Sequence, residues 1–319
     1  MPDKSAEANF HFYRQLGRTD LQVSCLGLGG GGGISSADTL YAFEQGINYF
    51  FYSSDLHHFL YSSMTDSLRQ LCGRGSSVRE KVVLATVTYL KNPQAAVSVL
   101  LDQFMELGID YIDVFFWGWM GSNDQQVLQD CLQLSPSLKA SNSFYIRAIE
   151  EFIGASERLK QMGAVRYVGA SFHDIDLASA WLNSPLLDVV MVRHNAGYRH
   201  AQSQIFTQVD SQNSQRPGIV TFKSTSHHSG RLWEVPAGLP AGCWQPRAPD
   251  LYRYSLTQDG VDLCLTGLRN RKEINEAIAG IRQGTLTAEE IDYLNLYGDL
   301  HQDRIKAEDI SFSRLLYRS

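Results

Sequence analysis

Along this chain a short apolar run is followed, again and again, by an amphipathic stretch. "QVSCLGLG" (22–29) precedes a predicted helix from Ser36 to Gln45, and "NYFFYSS" (48–54) precedes one over 64–73. "KVVLATV" (81–87) leads into 93–107, "YIDVFFW" (111–117) into 146–162, and "VRYVGAS" (165–171) into 175–183. "LDVVMVRH" (187–194) leads into 200–209, "GIVTFKS" (218–224) into 249–257, and "LCLTGL" (263–268) into 271–282. The β-type runs are continuously apolar, as in parallel strands covered on both faces. Eight strand-then-helix units in order predict a closed parallel barrel ringed by helices, an α/β fold of the (β/α)8 TIM-barrel type. An open doubly wound sheet is the alternative. It fits less well, because no GxGxxG follows the first strand at a helix start. The "GLGGGGG" at 27–33 is a glycine run, read as a flexible turn at the barrel mouth.

Composition narrows this further. With 319 residues, 44% of them hydrophobic and 19% charged, the chain can bury one large core. A single barrel domain over about 12–299 is expected, with a tail over 300–319. The net charge of −6 and the lack of a basic stripe argue against a nucleic-acid partner. Cys25, Cys72, Cys131, Cys243 and Cys264 are scattered, without metal-ligand or CxxC spacing. The start "MPDKSAEANFHF" has no apolar signal core, and no stretch is apolar enough to span a bilayer. A cytoplasmic protein acting on a small molecule, with no membrane partner, is the simplest expectation. Two long loops, about 120–145 and 225–248, follow strands and would shape a pocket at the mouth.

In such a barrel the C-terminal ends of the strands face the active site. Those positions hold Tyr52, Asp55, His57 and His58; then Val87; then Trp117, Gly118 and Trp119. They continue with Ser171, Phe172 and His173; with Arg193, His194 and Asn195; and with Phe222, Lys223, His227 and His228. Histidine serves as a metal ligand or an acid/base near neutral pH. No HxH or HxxxH spacing appears here, so no metal is expected, and hydrogen bonds to loop backbone are the plainer role.

Several segments together resemble the aldo-keto reductase superfamily. "YRQLGRTDLQVSCLGLG" (13–29) resembles its opening hairpin and first strand, and "AFEQGINYF" (42–50) its next helix and strand. "ELGIDYIDVFF" (106–116), "LKQMGAVRYVGAS" (159–171) and "TGLRNRKEINEA" (266–277) match in order and spacing. The resemblance implies an N-terminal β-hairpin, a (β/α)8 barrel and carbonyl reduction with NADPH. It also implies a catalytic Asp-Tyr-Lys-His set, in which Tyr is the general acid. In this sequence Tyr52 (or Phe51) stands at the Asp position and His57 or Leu56 at the Tyr position. Val87 stands at the Lys position and Gly118 at the His position, so the usual proton relay is replaced.

The nicotinamide contacts implied by the resemblance change too. Ser171 is kept, Phe172 and Met191 replace amides, and Phe222 replaces the stacking Tyr. The implied phosphate and adenosine contacts are Gly267, Arg269, Arg271, Lys272 and Glu276, with Lys223, Thr225 and His227 on the pyrophosphate loop. The pocket expected is apolar, formed by Val87, Trp117, Gly118, Trp119, Phe172 and Met191, with Arg193 and His194 as polar groups. Gly118 would make room for a substrate or a shifted ring.

Three functions compete at this stage. The first is an NADPH oxidoreductase of apolar or aromatic molecules, with His57, His58, Tyr52 and Asp55 as catalytic candidates. The second is a non-redox barrel enzyme (lyase, isomerase or dehydratase) using histidine chemistry. The third is a catalytically silent ligand- or partner-binding protein.

Overall fold

An antiparallel hairpin opens the chain, β1 (Tyr13–Gln15) against β2 (Gln22–Ser24), with Tyr13 opposite Ser24. The apolar run over 22–29 is therefore two strands, divided at Cys25. Its second half, β3 (Leu26–Gly29), enters the barrel. β4 (Tyr49–Tyr52), β5 (Val83–Thr88), β6 (Ile112–Met120), β7 (Val165–Phe172), β8 (Val189–Arg193), β9 (Gly218–Phe222) and β10 (Leu263–Thr266) follow. All eight barrel strands pair in parallel, and β10 pairs back onto β3. That closure excludes the open doubly wound sheet. The computed structural model describes residues 11–53, 55, 58–90, 92–120, 143–226 and 231–304.

The helices lie outside the barrel: α1 (Ser36–Glu44), the short α2 (His58–Tyr61), α3 (Thr65–Cys72), α4 (Pro93–Leu107), α5 (Ser143–Gln161) and α6 (Ile175–Trp181). They continue with α7 (His200–Gln204), α8 (Ala248–Leu256), α9 (Arg271–Ile281) and α10 (Ala288–His301). Polar side chains fix several starts. Ser35, Asn92, Asp174, Asn270 and Thr287 each accept a first-turn amide that would otherwise lack a partner. Among the described residues no helix is long and apolar enough to cross a membrane.

The closed end of the barrel is pinned by a repeated device. Asp113, Asp188 and Asp262 lie at or just before the starts of β6, β8 and β10, and each accepts an amide of the preceding strand. The donors are Leu84, Val168 and Ile219, each at 2.9 Å. Each carboxylate also meets a cation: Arg79 and Arg166 on Asp113, Lys160 and Arg18 on Asp188, Arg216 on Asp262. Register is thus set at the end remote from the mouth, leaving the mouth free to vary.

The strand-then-helix count leaves out α10. Its Tyr297 hydroxyl donates to the Glu234 carbonyl at 2.9 Å, and its Tyr293 hydroxyl donates to the Trp244 carbonyl. Together with Leu232, Trp244 and Tyr254 these tyrosines form a second, smaller core. The described part of the long 225–248 loop is therefore anchored.

Candidate active site at the barrel mouth

Alternation along the strands decides which side chains reach the barrel interior. Trp117 donates its indole N–H to Ser156 Oγ at 3.1 Å, and its ring lies 4.2 Å from that of Phe152. Both partners are on α5, so Trp117 faces the helices. Phe116 then faces inward. It meets Phe51 edge-on at 5.8 Å and occupies the space a Cβ on Gly169 would need, 2.6 Å away. Register carries this face around the sheet through Val87 beside Phe116, Ser171 beside Met191, and Arg193 beside Phe222.

Val87, Ser171, Met191, Arg193 and Phe222 are therefore brought together. Three expected site residues are turned the other way. Trp117 and Phe172 lie on the outer face of the sheet, and Tyr52 hydrogen-bonds Thr65 Oγ1 of α3 at 3.0 Å. His58 is also directed away, packing edge-on against Tyr52 with Nε2 3.2 Å from the Glu106 carboxylate. His57 and His227 fall outside the described residues, as does the side chain of Trp119.

Gly118 has a specific occupant. A Cβ there would lie 2.5 Å from Cδ1 of Tyr89 and 2.7 Å from the Thr88 carbonyl oxygen. The Tyr89 ring fills the room that the missing side chain leaves. Asp55 holds it there: one carboxylate oxygen accepts the Tyr89 amide at 2.6 Å and the Thr88 hydroxyl at 2.9 Å, and the other accepts Ser53 Oγ at 2.9 Å. Asp55 is thus an organiser of the β4 and β5 ends.

Tyr89 is hydrogen-bonded to Tyr61, at the end of α2. Tyr61 is 8% exposed and packs on Phe51 at 6.1 Å between ring centres. Burial raises both phenol pKa values. The shared hydrogen bond lowers that of Tyr61 and raises that of Tyr89, so Tyr61 is the more acidic of the two.

The glycine run makes this approach possible. A Cβ on Gly30 would lie 2.8 Å from the Tyr61 ring, and one on Gly32 would lie 2.4 Å from the Gly267 carbonyl oxygen. The run is a tightly packed 3-10 turn over Gly30–Gly32, not a flexible one. Neither tyrosine stands at a position the motifs mark. A gap-free match places the tyrosine position at residues 56–57, short of Tyr61. Tyr89 was visible as the residue after Thr88, but nothing local signals that it bends over Gly118.

A group of nitrogen bases stands on the other side of the mouth. Arg193 is 7% exposed, its guanidinium lies 4.5 Å over the Tyr198 ring, and its Nε makes no hydrogen bond among the described residues. Lys223 is open to solvent yet has its pKa lowered, first by partial burial and then by the Arg193 charge. It sits at a positive φ of 56°, a strained conformation for a side chain of this kind, and its carbonyl is clamped by Asn195 at 2.8 Å. His173 meets Phe222 edge-on at 5.2 Å. Burial, then Lys223 and Arg193, depress its pKa to about 4.

His194, expected in the pocket, is instead fully buried outside the barrel, stacked on Tyr254 at 5.5 Å and edge-on to Phe206 at 5.0 Å. Among the described residues neither ring nitrogen has a partner, and burial pushes its pKa down to about 3. Its unfolded pKa is about 6.5. Between these values the unfolded chain takes up a proton that the folded chain refuses, so stability is full above the higher value and falls as pH drops toward the lower. His194→Phe is expected to remove this acid loss and to leave neutral-pH stability unchanged or raised. Melting temperatures at pH 5 and pH 7.5 check it, and equal slopes in both proteins would contradict it.

A cavity of about 390 Å³ opens beside the ends of β9 and β10, lined by Thr225, Trp233, Tyr252, Gly267, Arg269, Glu273 and Glu276 among others. Four of the expected cofactor residues (Thr225, Gly267, Arg269 and Glu276) meet here. The neighbouring cations are not bare. Arg269 is forked onto Glu273 at 2.6 and 2.9 Å, Arg271 reaches Asp38 at 3.2 Å, and Lys272 lies 3.9 Å from Glu276. A larger cavity of about 610 Å³ lies at the hairpin end, lined by Tyr13, Asp20 and Arg166, remote from the strand ends that carry chemistry. Among the described residues no cluster of three or more His, Cys, Asp or Glu could hold a metal ion.

No protein-family model matches the chain, and no curated protein matches it in sequence. Solved structures do. An aldo-keto reductase from Bacillus halodurans in its holo form is similar with a TM-score of 0.65 and 22% identity, over 95% of this chain and 99% of that one. Its apo form gives a TM-score of 0.60 at 21% identity over the same shares. A protein from Pseudomonas aeruginosa assigned to the aldo-keto reductases gives a TM-score of 0.60 at 18% identity, over 86% of this chain and 96% of that one. With its closed parallel barrel and N-terminal hairpin, the chain has the aldo-keto reductase fold.

Proposed function

We propose that this protein is a nicotinamide-dependent oxidoreductase of small carbonyl compounds or alcohols, with a tyrosine pair in place of the usual proton relay. The observation that carries the reading is the cavity at Thr225, Gly267, Arg269 and Glu276, beyond the end of β9, whose last residue is the half-buried Phe222. Its size and its aromatic walls, Trp233 and Tyr252, suit an adenosine group. Phe222 offers a π face to a nicotinamide ring, and Ser171 a hydroxyl to its carboxamide. Met191 and the outward turn of Phe172 leave that end with fewer polar contacts than the adenosine end.

A bound nicotinamide supplies or accepts the hydride. Tyr61 gives the proton to the carbonyl oxygen, which becomes far more basic than a phenolate as it is reduced. Tyr89 donates to the Tyr61 oxygen and steadies the tyrosinate left behind. Asp55 holds Tyr89 in place through its backbone amide. Phe51, Phe116 and Val87 keep water from the reacting atoms.

NADPH is the cofactor implied by the resemblance; of Arg269, Arg271 and Lys272, Arg269 lines the cavity and is the residue proposed for the 2′-phosphate. Because Arg269 is engaged by Glu273, Glu273→Ala is expected to strengthen NADPH binding several-fold with little effect on NADH. Arg269→Ala is expected to weaken NADPH binding about 10-fold. Fluorescence titration of both reduced cofactors checks this. No binding of either at millimolar concentration would sink the oxidoreductase reading and favour the silent binding protein. The non-redox alternative has lost its described candidate, since His58 faces α4 and Glu106.

A further inference from the structure

Charge at the mouth is distributed unevenly. Arg193, on the inner face of β8, is buried, and Lys223 follows β9. Among the described residues neither has a carboxylate partner, and the electrostatic influences on them are Tyr198 for Arg193 and Arg193 itself for Lys223. By contrast, Arg79, Arg199 and Arg216, which are half-buried, each meet a carboxylate. A buried cation held beside a second one without an anion is costly, and a bound anion offsets that cost.

The surroundings are shaped for such a group. Tyr198 supports the flat side of the Arg193 guanidinium, leaving Nε without a partner among the described residues. Phe222 and His173 form an aromatic corner beside it. An open groove of about 530 Å³ leads away past His173, Tyr198 and His200. Its two acids do not cancel the cluster: Asp174 accepts the Leu177 amide at the start of α6, and Asp176 is exposed.

Resting on the oxidoreductase reading above, we propose that the substrate carries a carboxylate, held by Arg193 and Lys223, with its body running along the His173 wall of that groove and Phe222 left to the nicotinamide. The forked donors of Arg193 match a carboxylate, and Lys223 adds a second charge. His173 is neutral at physiological pH, with its pKa held near 4, so its contribution is a ring wall and a neutral hydrogen-bonding edge. The same oxyanion chemistry could come from a cofactor pyrophosphate, because Lys223 adjoins the loop that holds Thr225. The test separates the two.

Benzoate is titrated calorimetrically into the full-length protein without cofactor, next to benzamide, benzyl alcohol and inorganic phosphate. Benzoate is expected to bind at least about 10-fold tighter than its neutral analogues. Arg193→Leu should weaken it about 100-fold and Lys223→Asn about 10-fold, with NADPH affinity unchanged. Asparagine tolerates the positive φ, so Lys223→Asn keeps the test valid if the buried substitution fails to fold. Equal affinity for benzoate and benzamide would overturn the proposal. So would phosphate binding tighter than benzoate together with variants that lose NADPH affinity, which would assign the charge to the cofactor. Benzoate binding without any NADPH binding would uphold the anion site and defeat the oxidoreductase reading, whereas NADPH binding without benzoate binding would do the reverse.

Discussion

Tyr61→Phe should lower kcat for carbonyl reduction by about 100- to 10,000-fold, the range for losing a general acid. Cofactor affinity should stay constant, because Tyr61 contacts Tyr89, Phe51 and the Gly30 turn rather than the adenosine cavity. Tyr89→Phe should cost less, about 10- to 100-fold, since it removes one hydrogen bond to a developing tyrosinate. The two pH profiles carry independent information. Burial raises the Tyr61 pKa, so the phenol stays protonated through neutral pH and reduction should be flat there. Alcohol oxidation needs the tyrosinate and should rise with pH until above the ordinary phenol value of about 10. A limb near neutral pH that survives Tyr61→Phe would instead indicate a histidine.

The second large effect is on stability. Gly118→Ala puts a Cβ 2.5 Å from the Tyr89 ring and 2.7 Å from the Thr88 carbonyl oxygen. The oxygen belongs to the neighbouring strand, which can yield little. A loss of about 1–3 kcal/mol is expected from such overpacking, with a lower kcat as Tyr89 is displaced. Gly118→His should be worse and should not create a carbonyl reductase relay, because Tyr89 already fills the space. Combining Gly118→Ala with Tyr89→Ala should cost less than the two losses added, since the smaller residue removes the ring clash. Chemical denaturation of the four proteins measures the coupling, and strict additivity would mean that the ring and the glycine are independent.

The barrel was legible because parallel strands covered on both faces leave continuous apolar runs, and because eight such runs alternate with amphipathic stretches. Three things at the site were less legible. One is side-chain direction at the strand ends: Trp117 and Gly118 are adjacent in sequence, yet the first faces α5 and the second the mouth. The second is spacing across the segment after β4, where a match without gaps stops short of Tyr61. The third is charge partnership. Arg269, Arg271 and Lys272 were expected as phosphate contacts, but Glu273, Asp38 and Glu276 stand opposite them. Arg193 was expected only as a polar group of the pocket, and the fold turns it inward without an acid among the described residues. Long-range pairing of this kind has no local signature.

On the proposed function, the mouth of this barrel holds a nicotinamide cofactor beside a tyrosine proton donor. A crystal structure grown with millimolar NADPH tests it most directly. The adenosine should lie in the cavity at Thr225, Gly267, Arg269 and Glu276, and the nicotinamide ring should lie on Phe222 with its reacting face toward Tyr61. Cofactor bound elsewhere, or a ring separated from Tyr61 by the closed Tyr89 and Phe51 side chains, would contradict it.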